Sequence, residues 1–210
     1  AVVPVMLGCA LAFADRQFQA KEAVLCLLFA CLMQVAANFI NDLFDFRKGS
    51  DRSDRLGPKR ACAEGWITPH AMTVGIGTVL TLACACGLGV LYFAWGSLPH
   101  GGWELVLLGV LCLLFAFLYT TVLSYRGWGD VLVLVFFGFV PVGGTYYVQT
   151  GQVNGDVCLL SLVSGLVIDT LLMVNNYRDR DNDKAGGKIT LVVRIGAKAS
   201  EALYLSLGVA

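Results

Sequence analysis

Residues 105–125 read LVLLGVLCLLFAFLYTTVLSY, twenty-one positions without one Asp, Glu, Lys, Arg or His. An α-helix rises about 1.5 Å per residue, so about 20 apolar residues cross the hydrocarbon of a bilayer. A helix packed on a soluble core keeps a polar stripe toward water, and this segment has none. Two more stretches behave alike: Ala71 to Leu98 and Val131 to Gly155 hold no charged residue. The whole chain of 210 residues is 57% hydrophobic and 14% charged, against about 25% charged in soluble domains. A transmembrane barrel would show short alternating segments instead. The sequence therefore reads as an all-α polytopic membrane protein.

Outward from that segment, helices are expected at about 1–14, 22–46, 69–96, 103–123, 129–149 and 155–180, with a seventh from about 199. Turn-formers separate them, among them Gly49, Gly57-Pro58, Gly127, Gly151 and Gly186-Gly187. Of the fifteen Lys and Arg, thirteen fall at the ends of even-numbered helices or in the loops after them. The positive-inside rule then places 47–68, 124–128 and 181–198 on the cytoplasmic side. The chain reads as one domain over 1–210. It begins inside the apolar run AVVPVMLGCALAFA and ends inside EALYLSLGVA, so a fragment cut at both ends is expected.

Net charge is zero, which gives no reason to expect nucleic acid as a partner; the bilayer is the expected one. The eight cysteines form no CxxC pair. Most sit in apolar segments, where cysteine behaves as a small hydrophobe.

Two places break the apolar pattern. NFINDLFDFRKGSDR (38–52) closes the second helix, and NNYRDRDNDKAGGKIT (175–190) closes the sixth. Each passes from Asn through spaced Asp into a loop with Gly and basic residues, and both share the expected cytoplasmic side. Helical residues advance about 100° each, so Asn38, Asn41, Asp42 and Asp45 share one face. So do Asn175 or Asn176, Asp179 and Asp183. Each carboxylate at membrane depth costs about 2.5–3.5 kcal/mol on insertion scales. A divalent cation removes the repulsion among four of them. Mg²⁺ is a hard ion that takes one or two carboxylates together with substrate phosphate oxygens. The neighbouring Arg47, Lys48, Arg52, Arg55, Lys59, Arg60, Arg178, Lys184 and Lys188 could neutralise the remaining phosphate charge. A substrate with a diphosphate head at the interface and an apolar tail in lipid fits this description, and a prenyl diphosphate is one. Tyr119, Tyr146 or Tyr147 could stabilise the allylic cation left behind.

The two polar clusters, with FFGFVPVGGTYYVQTG (136–151), resemble the UbiA superfamily of intramembrane prenyltransferases. The first superfamily motif, N-x-x-x-D-x-x-x-D, is met by Asn38 and Asp42, with the second acid one residue early at Asp45. That spacing, followed by KGSD and LGPKR, resembles the menaquinone branch. The second motif, D-x-x-x-D, is met by Asp179 and Asp183. The resemblance implies nine helices around a central cavity, about seven of them represented here. It implies that Asp42, Asp45, Asp179 and Asp183 hold Mg²⁺ and act in catalysis. Asn38, Asn41, Asn175, Asn176, Arg60, Arg178 and Lys188 are then expected to bind the diphosphate. The implied reaction moves a polyprenyl group from polyprenyl diphosphate to 1,4-dihydroxy-2-naphthoate with loss of CO₂, giving demethylmenaquinone. The implied location is the bacterial cytoplasmic membrane, with the site facing the cytoplasm.

Two readings compete with it: a superfamily member with another acceptor, such as 4-hydroxybenzoate, and a cation-coupled secondary transporter. The branch carries Y-T-G-G-P where this chain reads YTTVL (119–123), so a differently shaped turn is expected there. Asp169 lies mid-helix and the resemblance gives it no role.

Overall fold

A computed structural model describes residues 1–49 and 57–208. The described residues form helices and turns: α1 (Val2–Ala14), α2 (Ala20–Lys48), α3 (Pro69–Ala94), α4 (Trp103–Arg126), α5 (Gly129–Thr150), α6 (Gly155–Ala185), α7 (Leu191–Ile195) and α8 (Ala197–Leu207). Five of these, α2 to α6, are long and apolar enough to cross a membrane. Arg52 and Arg55 lie outside the described residues.

The expected segments appear with two differences. The sixth helix runs five residues past 180, to Ala185. No Gly or Pro interrupts the charged run before Gly186, and charge alone does not stop a helix. Asp183 is therefore helical and shares a face with Asp179. The short α7 was not foreseen. Its five residues are too few to show a period, and its start is fixed by Thr190, whose hydroxyl accepts from the Val193 N–H at 3.4 Å.

The outer faces of the bundle are apolar, and several polar side chains are buried inside it. Tyr92, Leu107 and Leu171 are more than half exposed, while Asp42, Asp130, Asp169 and Asn176 are buried. Lipid is as apolar as a leucine side chain, so helices associate there through close packing rather than hydrophobic sorting. Close packing is what α5 and α6 show. A Cβ on Gly138 would lie 2.4 Å from the Ser161 carbonyl oxygen, and one on Gly165 would lie 3.0 Å from the Leu134 Cα. Helix α1 meets α5 in the same way at Gly8, where a Cβ would sit 2.5 Å from the Val142 oxygen.

Pro141 lies inside α5. It has no N–H to donate, and its ring crowds the carbonyl four residues back. The helix widens to π pairing over Leu134–Gly143. Ser164 of α6 donates its hydroxyl to the Phe137 carbonyl at 3.2 Å. Within hydrocarbon such a neighbour is the available substitute for water.

Helices α2 and α3 pack along their length around Ile40, Leu43, Cys62, Met72 and Ile76. Asn154 caps α6 by accepting from the Val157 N–H at 2.9 Å. Thr68 and Pro69 start α3.

Candidate functional site

The end of the bundle where α2, α4 and α6 finish and α5 begins carries both polar stripes. Helix α4 joins them. Its last residues leave α geometry, with π pairing over Tyr119–Leu123 and a 3₁₀ turn over Ser124–Arg126. This is the YTTVL segment.

On one side the turn grips α2. Lys48 donates to the carbonyls of Thr121 at 3.0 Å and Thr120 at 3.4 Å. These are carbonyls at a helix end, where orphan acceptors need a donor. The same ammonium lies 3.7 Å from the Tyr125 ring centroid. Tyr125 donates its hydroxyl to Asp45 at 3.4 Å. The Thr120 hydroxyl donates to the Asn41 side-chain oxygen.

On the other side it grips the segment after α6. The Ile189 N–H donates to the Tyr125 carbonyl at 3.1 Å, and Arg194 donates to the Arg126 carbonyl at 3.1 Å. Gly127 adopts φ +76°, and a Cβ there would come 3.0 Å from the Ile189 oxygen.

Between these grips lies a pocket bordered by Tyr119, Ser124, Asp130, Asn176, Lys188 and Thr190. The carboxylates of Asp130, Asp45, Asp169 and Asp183 all act electrostatically on the Tyr119 phenol. Of these acids, Asp130 shares the pocket lining with Tyr119.

The individual site residues are placed as follows. Asp42 is buried, and its two oxygens accept the N–H groups of Ala61 at 2.8 Å and Cys62 at 3.0 Å. Asp45 meets Arg60 at 3.5 Å. Arg178 donates two bonds to Asp179, each 2.8 Å. Lys188 stands 3.6 Å from Asp183. Asn41 is half-buried and Asn176 is buried at the pocket wall, whereas Asn38 and Asn175 lie on exposed faces of their helices. Of the alternatives left open at 175–176, the inward one is Asn176.

Among the described residues, no three His, Cys, Asp or Glu side chains converge as a ready ion-binding group. Asp42 and Asp45 lie near the end of α2, and Asp179 and Asp183 near the end of α6. Basic side chains lie beside Asp45, Asp179 and Asp183.

Two expectations are corrected. Tyr146 donates to Asp15 at 2.6 Å, and Tyr147 donates to Glu104 at 2.7 Å. Both belong to the last turns of α5, at the end of the bundle away from the polar stripes. Neither ring can face a cation formed at those stripes; Tyr119 can. Asp130 escaped the sequence reading. It opens α5 as the single acid in WGDVLVLV (128–135), where an acid in the first turn of a helix passes as an ordinary dipole partner. Its burial was the missing signal.

The chain matches the UbiA prenyltransferase family over residues 1–210. It is 38% identical over 202 residues to a 1,4-dihydroxy-2-naphthoate octaprenyltransferase of Haemophilus influenzae, covering 94% of this chain and 65% of that protein. The protein of the same name in Escherichia coli is 37% identical, covering 93% of this chain and 64% of that one. A UbiA prenyltransferase domain-containing protein 1 homolog of Drosophila melanogaster is 31% identical, with coverage of 98% and 57%. The chain thus spans a little under two thirds of the length of these curated relatives.

Proposed function

The chain belongs to the UbiA prenyltransferase family, and from that premise we propose that it is a Mg²⁺-dependent prenyltransferase of menaquinone biosynthesis. The substrates are a polyprenyl diphosphate and 1,4-dihydroxy-2-naphthoate, the acceptor in the names of its relatives. The observation that supports the proposal is the α4 turn, where Tyr125 bonds both Asp45 of α2 and Ile189 beyond α6, beside a small pocket that Asn176 of the second stripe lines.

The donor set suits a hard divalent cation. Asp45, Asp179 and Asp183 keep part of their side chains accessible, 13–18%. Each Asp42 oxygen retains a lone pair beyond its backbone bond. Asp42, Asp45, Asp179 and Asp183 would hold Mg²⁺ together with diphosphate oxygens. When bound, the ion supplies Lewis-acid neutralisation of the departing diphosphate.

Arg60, Arg178 and Lys188 bind the phosphate oxygens, each from a position beside an acid of the pair. For the amides the proposal narrows to the inward Asn41 and Asn176. Tyr119 turns its ring to the allylic carbon as the C–O bond to diphosphate breaks. The ring carbon of the naphthoate then forms the new C–C bond and CO₂ leaves. The product is the prenylated diol, demethylmenaquinone in its reduced form. The polyprenyl tail lies among the apolar helices, and the polar end of the bundle faces the cytoplasm of a bacterial cell.

The test is a donor-by-acceptor assay on the purified protein in nanodiscs, read by mass spectrometry of the product. Dihydroxynaphthoate is expected to be prenylated, with loss of turnover on EDTA and in Asp45→Ala. A product formed from 4-hydroxybenzoate alone would replace the acceptor. Full turnover in an Asp45→Ala, Asp179→Ala double variant would reject the mechanism.

A further inference from the structure

The pocket holds one wall that the reaction above leaves unused. Asp130 borders it and is 9% exposed. Its Oδ1 is buried and, among the described residues, has no hydrogen-bond partner. Asp169, on the facing stretch of α6, is 5% exposed and its Oδ1 is also without one. Helices α5 and α6, which carry them, pack against each other. Asp169, Asn176 and Asp183 are seven residues apart in turn, so they follow one stripe down α6 toward the bundle centre.

The start of a helix accounts for a carboxylate in the first turn of α5. It does not account for burying one with an open lone pair beside a second acid. A buried acceptor left unmade costs about 1–3 kcal/mol. Intramembrane acids that are neither paired nor exposed mark substrate or proton pathways. The remaining pocket wall supplies hydroxyl and amide groups from Ser124, Thr190 and Asn176. The Tyr119 hydroxyl lies 3.8 Å from where a side chain on Gly129 would begin, so the aromatic wall and the acid adjoin. An open acceptor and small donors beside an aromatic face, in a space about the size of one water molecule, suit a single hydroxyl group carried by an aromatic ring.

We propose that Asp130 is the group that receives the hydroxyl of the aromatic acceptor and removes its proton as the ring attacks. The inference rests on the prenyl-transfer reading. In this step the acceptor O–H bond breaks and the proton passes to the Asp130 Oδ1. The oxygen lone pair moves into the ring, and the ring carbon bonds to the prenyl carbon. The electron pair of the broken C–O bond leaves with diphosphate. As CO₂ departs, the electron pair of its bond to the ring rearomatises the ring, and the oxygen takes its proton back from Asp130, which restores the diol and the carboxylate. Asp169 is a positioning residue that acts through Asp130 and does not touch the acceptor.

The test compares wild type, Asp130→Asn, Asp169→Asn and the double variant in nanodiscs, with dihydroxynaphthoate and with ring-halogenated analogues whose hydroxyl is more acidic. Asp130→Asn is expected to lower kcat/KM for the acceptor by about 100-fold or more, the usual worth of a general base. The KM for prenyl diphosphate stays within about two-fold of wild type. The halogenated acceptor recovers at least part of the loss, which a purely structural defect would not allow. Asp169→Asn lowers kcat/KM for the acceptor less and adds nothing in the Asp130→Asn background. If Asp130→Asn no longer binds prenyl diphosphate, Asp130→Glu decides: recovery of acceptor-specific turnover supports the assignment, and failure to recover it overturns it. Unchanged acceptor kinetics in Asp130→Asn also overturn it. Wild-type protein that prenylates no hydroxylated aromatic sinks the functional reading itself, a separate result.

Discussion

The Lys48 ammonium rests 3.7 Å from the centroid of the Tyr125 ring, at the point where α2 meets the end of α4. The same lysine holds the Thr121 carbonyl, and the same tyrosine reaches Asp45. A cation over an aromatic face is worth about 0.5–1 kcal/mol when accessible to solvent. Replacing Tyr125 by Leu removes that contact and the hydroxyl on Asp45. The expected result is a rise of about five-fold in KM for prenyl diphosphate, measured by steady-state kinetics, with thermal stability lowered by a few degrees.

Asp42 and Asp45 lie three residues apart and are expected to fail differently. Asp42 holds two backbone N–H groups of the 61–62 turn. Asp42→Asn places an amide donor against one of them, at a cost of about 1–3 kcal/mol. Thermal unfolding in detergent should show that loss. Asp45→Asn should unfold near the wild-type temperature yet lose Mg²⁺-dependent turnover.

The α5–α6 crossing leaves no room for a methyl group at Gly138. Gly138→Ala must push against the Ser161 backbone, and overpacking of this kind costs about 1–3 kcal/mol. Gly77→Ala is the control, since nothing lies within 4 Å of a Cβ there. Its unfolding temperature should equal or slightly exceed wild type.

Ser164 and Pro141 form a testable pair through the Phe137 carbonyl. Ser164→Ala is expected to cost about 1 kcal/mol. In a Pro141→Ala background the restored N–H can serve that carbonyl, so the same substitution should cost much less. A double-mutant cycle on detergent-solubilised protein reads the difference.

Most of the architecture could be read from residues 105–125 and their like, because length and the lack of charge are what a bilayer demands. The two stripes were legible for a related reason: Asn41, Asp42, Asp179 and Asp183 break the apolar pattern at helical spacing. What stayed hidden depended on neighbours far along the chain. Asn175 and Asn176 are adjacent, and only the packing of α6 turns the second inward. Tyr119 and Tyr146 are both aromatic residues near helix ends, and only the bundle assigns them to opposite ends. Asp130 is an unremarked acid at a helix start until α4 and α6 close over it. The π turns at 119–123 and 134–143 leave no composition signature beyond Pro141.

Tyr125 offers its carbonyl to Ile189 and its hydroxyl to Asp45. One residue therefore sets the spacing between two polar arms that are remote in sequence. Displacing either arm strains the other, so ion capture at α2 and at α6 should be mutually reinforcing rather than independent. A diphosphate bridging both arms would be gripped as a whole, while a monophosphate of the same tail, too short to reach across, would be let go.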